Sequence, residues 1–124
     1  MRQWLVNPKA LCRKHLLGEH VEHHMFVGSI TRGFSVEGYL RDGFLEPHTL
    51  KERHDEIAAE MVRRGYNHKS PLPHVDVSHL RDGKIDPIRN IEDLRTRCKE
   101  CAKRIEEIED RRLGEIYAKW KSPP

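Results

Sequence analysis

The stretch His15-Leu16-Leu17-Gly18-Glu19-His20-Val21-Glu22-His23-His24-Met25-Phe26 sets two carboxylates, four imidazoles and a glycine into one amphipathic helical pattern. Polar groups this dense on a short apolar helix cost stability unless they do something. Glu22 is the residue with a candidate chemical partner, the α-amine of Met1. An α-amine with a reference pKa of ~7.7 is about 15% neutral at pH 7, against about 0.04% for a lysine at ~10.4. It is therefore the better amine nucleophile without any special environment. An amine that attacks a sugar carbon bearing a leaving group forms an imine, and a carboxylate beside it can move the protons. Met1 is expected to be retained, because the large residue Arg2 should exclude the processing enzyme.

Chain geometry links the two groups. Six extended residues back from Asn7 span ~20 Å, and fourteen helical steps from Pro8 to Glu22 span ~21 Å. A reversal at Asn7-Pro8 would carry the amine to Glu22. Gly18, one turn before Glu22, leaves that approach unobstructed, although a glycine inside a helix costs roughly 1 kcal/mol.

The elements that must position these groups are helical. Asn7-Pro8 starts helix one, expected over Pro8 to Phe26, with an inward stripe of Ala10, Leu17, Val21 and Met25 and with Leu11 at its edge. Glu22 falls on a line with Leu11, His15 and Gly18 beside that stripe. Residues 27 to 47 read as a loop-rich connection with a short helix near Ser35 to Arg41. Thr49-Leu50-Lys51-Glu52 is a capping box opening helix two, Leu50 to Arg64, which stops at Gly65. Its inward stripe is Leu50, Ile57, Ala58, Met61 and Val62, with Arg53, Arg63 and Arg64 outside. Asn67 to Arg89, with prolines at 71, 73 and 87, reads as an extended surface loop. Helix three starts at Asn90 and carries Ile91, Leu94, Cys98, Cys101, Ile105 and Ile108 in one continuous seam. The pattern predicts an all-α fold: a single compact domain, residues 1–124, of three principal helices with long irregular connections.

Arg2, His15-Leu16, Glu19 and Glu22, then Leu50, Arg53, Glu56, Ala59-Glu60 and Arg64-Gly65-Tyr66-Asn67, together resemble the phage pyrimidine-dimer DNA glycosylases with AP-lyase activity. The resemblance covers roughly residues 1 to 28 and 50 to 69, with a weaker echo in helix three. It implies that the mature amino terminus attacks C1′ of a damaged nucleotide and that a helix-one glutamate completes the chemistry. These catalytic roles fall on Met1 and Glu22. Arg2 and His15 become active-site or phosphate-side positions, and Arg64 and Lys121 are further DNA-contact candidates. Met1 stands where the best-known members expose a threonine, and Val21 and Met25 stand where those members have two arginines. The implied substrate is double-stranded DNA carrying a dimer-type pyrimidine lesion or another modified base, acted on by a monomer without cofactor or metal.

Composition is compatible with that partner. The chain has 124 residues, a net charge of +3 and nine histidines, and 35% of its residues are charged. The mild basic excess suits a polyanion without demanding one. No apolar run approaches the ~18 residues of a membrane span and no signal-peptide pattern opens the chain, so a cytoplasmic protein is expected, in the host cytoplasm if phage-encoded. Three cysteines argue against a disulfide framework, and Cys98-x-x-Cys101, with no second pair, reads as helix thiols. Two other classes stay open. One is a histidine-rich metal-binding protein using His20 and His24 with His23, His54, His68, His74 or His79. The other is a non-catalytic nucleic-acid-binding module using Arg32, Arg41, Arg53, Arg63, Arg64, Lys69 and the Lys119 to Lys121 end, with Tyr117 and Trp120 as stacking groups.

Overall fold

A computed structural model describes residues 1–111, and Lys121 with the rest of the aromatic and basic tail lies outside the described residues. The described chain is all-helical, as expected, and contains no strand. Its elements are α1 (Arg13–Thr31), α2 (Glu37–Arg41), α3 (Leu50–Arg63), α4 (Pro87–Arg97) and α5 (Lys99–Arg111), with 3₁₀ turns at Pro8–Ala10 and Pro47–Thr49.

The entry into helix one differs from the sequence expectation. The Asn7 side chain accepts from the Lys9 backbone N–H, but it caps only a single 3₁₀ turn. Leu11 and Cys12 are then extended, and α1 starts at Arg13 and runs on to Thr31. The break resets the helical phase. Val21 and Met25, expected inward, are about half exposed, whereas Leu16, Glu19, His20, His23, Phe26, Val27 and Ile30 are buried. An apolar stripe misjudged this face because the buried polar residues on it have partners.

Those partners come from α3. Along α1 the buried order is Leu16, then Glu19, His20 and His23, then Phe26, Val27 and Ile30; along α3 it is Leu50, then Arg53 and His54, then Ile57 and Met61. Leu16, Ile57 and Met61 join one apolar cluster with Trp4, Val6, Ile91 and Ile105. Phe26, Ile30 and Leu50 join a second with Val36, Leu40, Leu45 and Leu72. The two helices thus run antiparallel, with a polar belt between two apolar clusters. Arg53, placed outside by its charge, is fully buried and grips Glu19 through Nε (2.7 Å) and Nη2 (2.9 Å). Val62, expected inward, is exposed. Gly65, at φ +83°, ends α3 as expected, because the left-handed conformation there favours glycine. The capping box does not form. The Thr49 hydroxyl donates instead to the Glu46 carbonyl and accepts from the Gln3 amide.

Helix three is two helices. Asp86 caps α4 by accepting from the Ile88 and Arg89 N–H groups, so α4 starts at Pro87, three residues before the expected Asn90, and Cys98 is extended (φ −134°, ψ 112°) between α4 and α5. The seam survives the corner, since Ile91, Leu94, Cys101 and Ile105 are all buried. Steps of three and four fit two short helices folded together as well as one long one. An ion pair from Arg95 to Glu109 at 2.7 Å closes the fold.

Candidate active site

The amino-terminal segment is held almost atom by atom. The Gln3 backbone N–H donates to the Phe44 carbonyl (2.8 Å), and its side-chain oxygen accepts from the Glu46 N–H (2.6 Å). The Gln3 amide nitrogen donates to His23 Nε2 (3.1 Å) and Thr49 Oγ1 (3.2 Å). His23 Nδ1 in turn donates to the Glu19 carbonyl at 2.7 Å, which fixes its tautomer. The Trp4 carbonyl accepts from the Asn90 side chain (2.7 Å) and the Val6 carbonyl from Arg53 (2.6 Å). Between them Leu5 takes a left-handed φ of +49°, a strained conformation for leucine that the flanking buried bonds hold in place.

This threading delivers Met1 to α1. The Met1 α-amine stands 3.6 Å from Glu22 Oε1, and the Arg2 backbone N–H donates to the same oxygen at 3.1 Å. Both groups are part-exposed, so solvent and a substrate can reach them. A Cβ on Gly18 would stand 3.8 Å from Glu22 Oε2. One carboxylate oxygen therefore faces the amine and the other lies toward open helix surface. The Met1 side chain packs against the second apolar cluster, which fixes where its amine points.

The other site candidates are placed differently. The Arg2 guanidinium turns to α4, donating to Asn90 Oδ1 (2.5 Å) and Asp93 Oδ2 (3.4 Å), and lies over the Trp4 and Phe44 rings. Burial, partly offset by Asp93, lowers its pKa. His15 points its Nδ1 at the thiols of Cys12 (3.2 Å) and Cys101 (3.5 Å), with its ring edge-on to Trp4. Burial first, then Lys14 and Arg2, lower its pKa. Arg64 donates to Glu60 (2.8 Å) and to the carbonyls of Pro8 (3.1 Å) and Leu11 (2.8 Å), clamping the turn that reverses the chain. Arg64 and Arg53 thus act here as fasteners of the amino-terminal turn, and a contact with DNA by Arg64 would have to break these bonds.

The remaining histidines of α1 divide between two clusters. His20 lies against His24, His54 and His68, with ring centroids 4.8 to 5.0 Å away, and its Nε2 is 3.0 Å from His68 Nε2. One of that pair donates and the other accepts. His24 and His54 each point Nε2 at the Ser70 carbonyl at 3.1 Å. Burial, followed by the neighbouring imidazoles, pushes His20 down to about 4. His23 belongs to the Gln3 network instead, and so drops out of the metal set that the sequence allows. The sequence did not mark Gln3, and it marked Asn90 only as a helix start, because their roles lie in contacts with groups distant along the chain.

No curated protein and no solved structure matches this chain. A family model described as pyrimidine dimer DNA glycosylase matches residues 1–74, the span that contains Met1, Arg2, all of α1 and all of α3. With 74 of its 124 residues matched, and with the amine and carboxylate that the resemblance requires standing side by side, the chain belongs to the pyrimidine dimer DNA glycosylase family.

Proposed function

We propose that this protein is a DNA glycosylase with AP-lyase activity that works through an imine on the α-amine of Met1, with Glu22 moving the protons. The supporting observation is the 3.6 Å approach of the amine to Glu22 Oε1 across 21 residues of chain. The neutral amine attacks C1′ of the damaged nucleotide, and the bond from C1′ to the base breaks as the base departs with one of the two protons the amine gives up. Glu22 takes the other proton and returns it to the sugar ring oxygen, which opens the ring and leaves an imine between Met1 and C1′. Loss of a C2′ proton and of the 3′ phosphate cleaves the strand, and water then releases the sugar and restores the amine. No step calls for a metal or an organic cofactor.

The substrate is double-stranded DNA, and a base in the stack must be turned out, or the duplex kinked, for C1′ to reach the amine. The exposed side of α1 beside Glu22 carries Val21 and Met25, and about two turns further on, at the helix cap, Arg32; these line one shallow depression with His24, Gly28 and Ser29. This apolar face with a cation at its end is the surface set against the lesion. Its character suits a dimer-type pyrimidine lesion or another modified base.

Borohydride trapping is the test. With DNA holding an abasic site, reduction should give a covalent adduct that maps by peptide mass to Met1 and disappears when the α-amine is acetylated. DNA binding without any adduct would leave only a binding module, and an adduct on a lysine would remove Met1 from the mechanism.

A further inference from the structure

Four side chains that the proposed reaction does not use converge on one point beneath the start of α1. Cys12 is the residue before α1, His15 lies in its first turn, and Cys98 and Cys101 flank the start of α5. Their spacing is a C-x-x-H from one end of the chain and a C-x-x-C from the other, brought together across 86 residues. Cys12 Sγ is 3.8 Å from Cys98 Sγ, and His15 Nδ1 is 3.2 Å from Cys12 Sγ and 3.5 Å from Cys101 Sγ. All four donor atoms lie within 4.8 Å of one another.

We propose that Cys12, His15, Cys98 and Cys101 bind one zinc ion in a closed structural site. A tetrahedral zinc with bonds of ~2.3 Å to sulfur and ~2.0 to 2.1 Å to nitrogen sets its ligands about 3.8 Å apart for sulfur pairs and about 3.6 Å for sulfur and nitrogen. The Cys12–Cys98 distance of 3.8 Å and the His15–Cys101 distance of 3.5 Å match that shell, and the remaining pairs need only small side-chain adjustments to reach it. Backbone N–H groups also point at the sulfurs: Cys12 N–H lies 3.2 Å from Cys101 Sγ and Cys101 N–H lies 3.4 Å from Cys98 Sγ. Such donors favour thiolate, the form that ligates metal.

The site also accounts for two breaks in the helices. Helix one is interrupted at Leu11 and Cys12, and helix three at Cys98, with neither glycine nor proline at either place. Each break turns a cysteine toward the same centre. A disulfide is the weaker reading, because S–S bonding needs about 2.0 Å and would leave one of three converging thiols and the imidazole without a role. With three thiolates and an imidazole the zinc has no open position, so the ion holds structure and takes no part in the reaction. It ties the matched family region, residues 1–74, to the α4 and α5 corner beyond it. His15 is then a ligand rather than a DNA contact.

The test uses the full chain without an affinity tag, because the histidine cluster around His20 is a rival metal site. Reduced protein purified through a chelator wash should retain one zinc per chain. Cobalt exchanged into it should show thiolate-to-cobalt charge-transfer bands with the strong visible bands of a tetrahedral site. Cys98→Ser should weaken retention against a competing chelator by roughly tenfold or more, while His20→Asn combined with His68→Asn leaves it unchanged. Reduced wild-type protein without zinc and without thiolate-to-cobalt bands would overturn the site, as would metal that leaves with the histidine variant and stays in Cys98→Ser. If Cys98→Ser does not fold, the wild-type cobalt spectrum decides alone. These readouts do not depend on DNA cleavage, so failure of the zinc site and failure of the imine mechanism are separable.

Discussion

Glu22 has one oxygen committed to the amino terminus, by way of Met1 at 3.6 Å and the Arg2 N–H at 3.1 Å, and one facing the surface over Gly18. A carboxamide in its place keeps the shape and can still hydrogen-bond, but it cannot carry a proton. Glu22→Gln should therefore preserve DNA binding and some borohydride adduct while lowering strand cleavage by roughly 10²–10⁴-fold, the usual contribution of a positioned acid/base. Cleavage at the wild-type rate would take Glu22 out of the reaction. Gly18 provides an independent probe of the same place. A methyl there would meet Glu22 Oε2 at ordinary contact distance, so Gly18→Ala should stabilise α1 by roughly 1 kcal/mol. If the sugar approaches over Gly18, the same variant should lose about ten- to a hundredfold in kcat/KM through misplacement of the reacting carbon. A stabler protein with unchanged activity would place the substrate elsewhere.

At the scale of elements, α1 and α3 are locked by the pair of Glu19 and Arg53, both fully buried, with Arg53 also donating to Val6 and Glu56. Burial opposes the Arg53 charge, and Glu19 and then Glu56 outweigh it, so the guanidinium pKa is raised. Breaking a buried pair typically costs about 3 to 5 kcal/mol, and with Glu56 still beside Arg53 the loss should fall at the lower end of that range. Glu19→Gln should lower the denaturant midpoint accordingly, and because Arg53 holds the Val6 carbonyl it should also loosen the segment that carries Met1. Amide exchange of residues 2 to 6 would register that loosening, and protection equal to wild type would separate the pair from the site. These elements also show what a sequence can tell. The approach of Met1 to Glu22 was legible as a match of lengths, but not its path: the sequence counts fourteen helical steps from Pro8, whereas the α-helix starts at Arg13 after an extended Leu11 and Cys12. Gly65 was legible because a left-handed stop favours one residue. Arg53 was not, since a charge reads as exposed until its partner, 34 residues away, is known. The corner at Cys98 was hidden for a related reason: the seam's spacing is the same on either side of it.

The whole molecule carries an acid sensitivity in its polar belt. His20, His23 and His24 have pKa values lowered, in each case chiefly by burial, with His20 down to about 4. Groups whose folded pKa lies below the unfolded value of ~6.5 bind more protons in the unfolded chain, so stability is present above pH ~6.5 and is lost as pH falls toward 4. His20 faces His24 on its own helix, His54 on α3 and His68 in the following loop, while Asp55 accepts from His54 at 3.0 Å. Protonating His20 therefore adds charge among imidazoles with one nearby carboxylate to offset it. The denaturant midpoint of the wild-type protein should drop across pH 6.5 to 4. His20→Asn, which removes the most shifted of these groups, should be less stable at pH 7 but show a shallower drop. The comparison between the two proteins cancels acid effects common to both, including any release of zinc from the thiol site. Parallel curves for the two would mean that the belt titrates elsewhere.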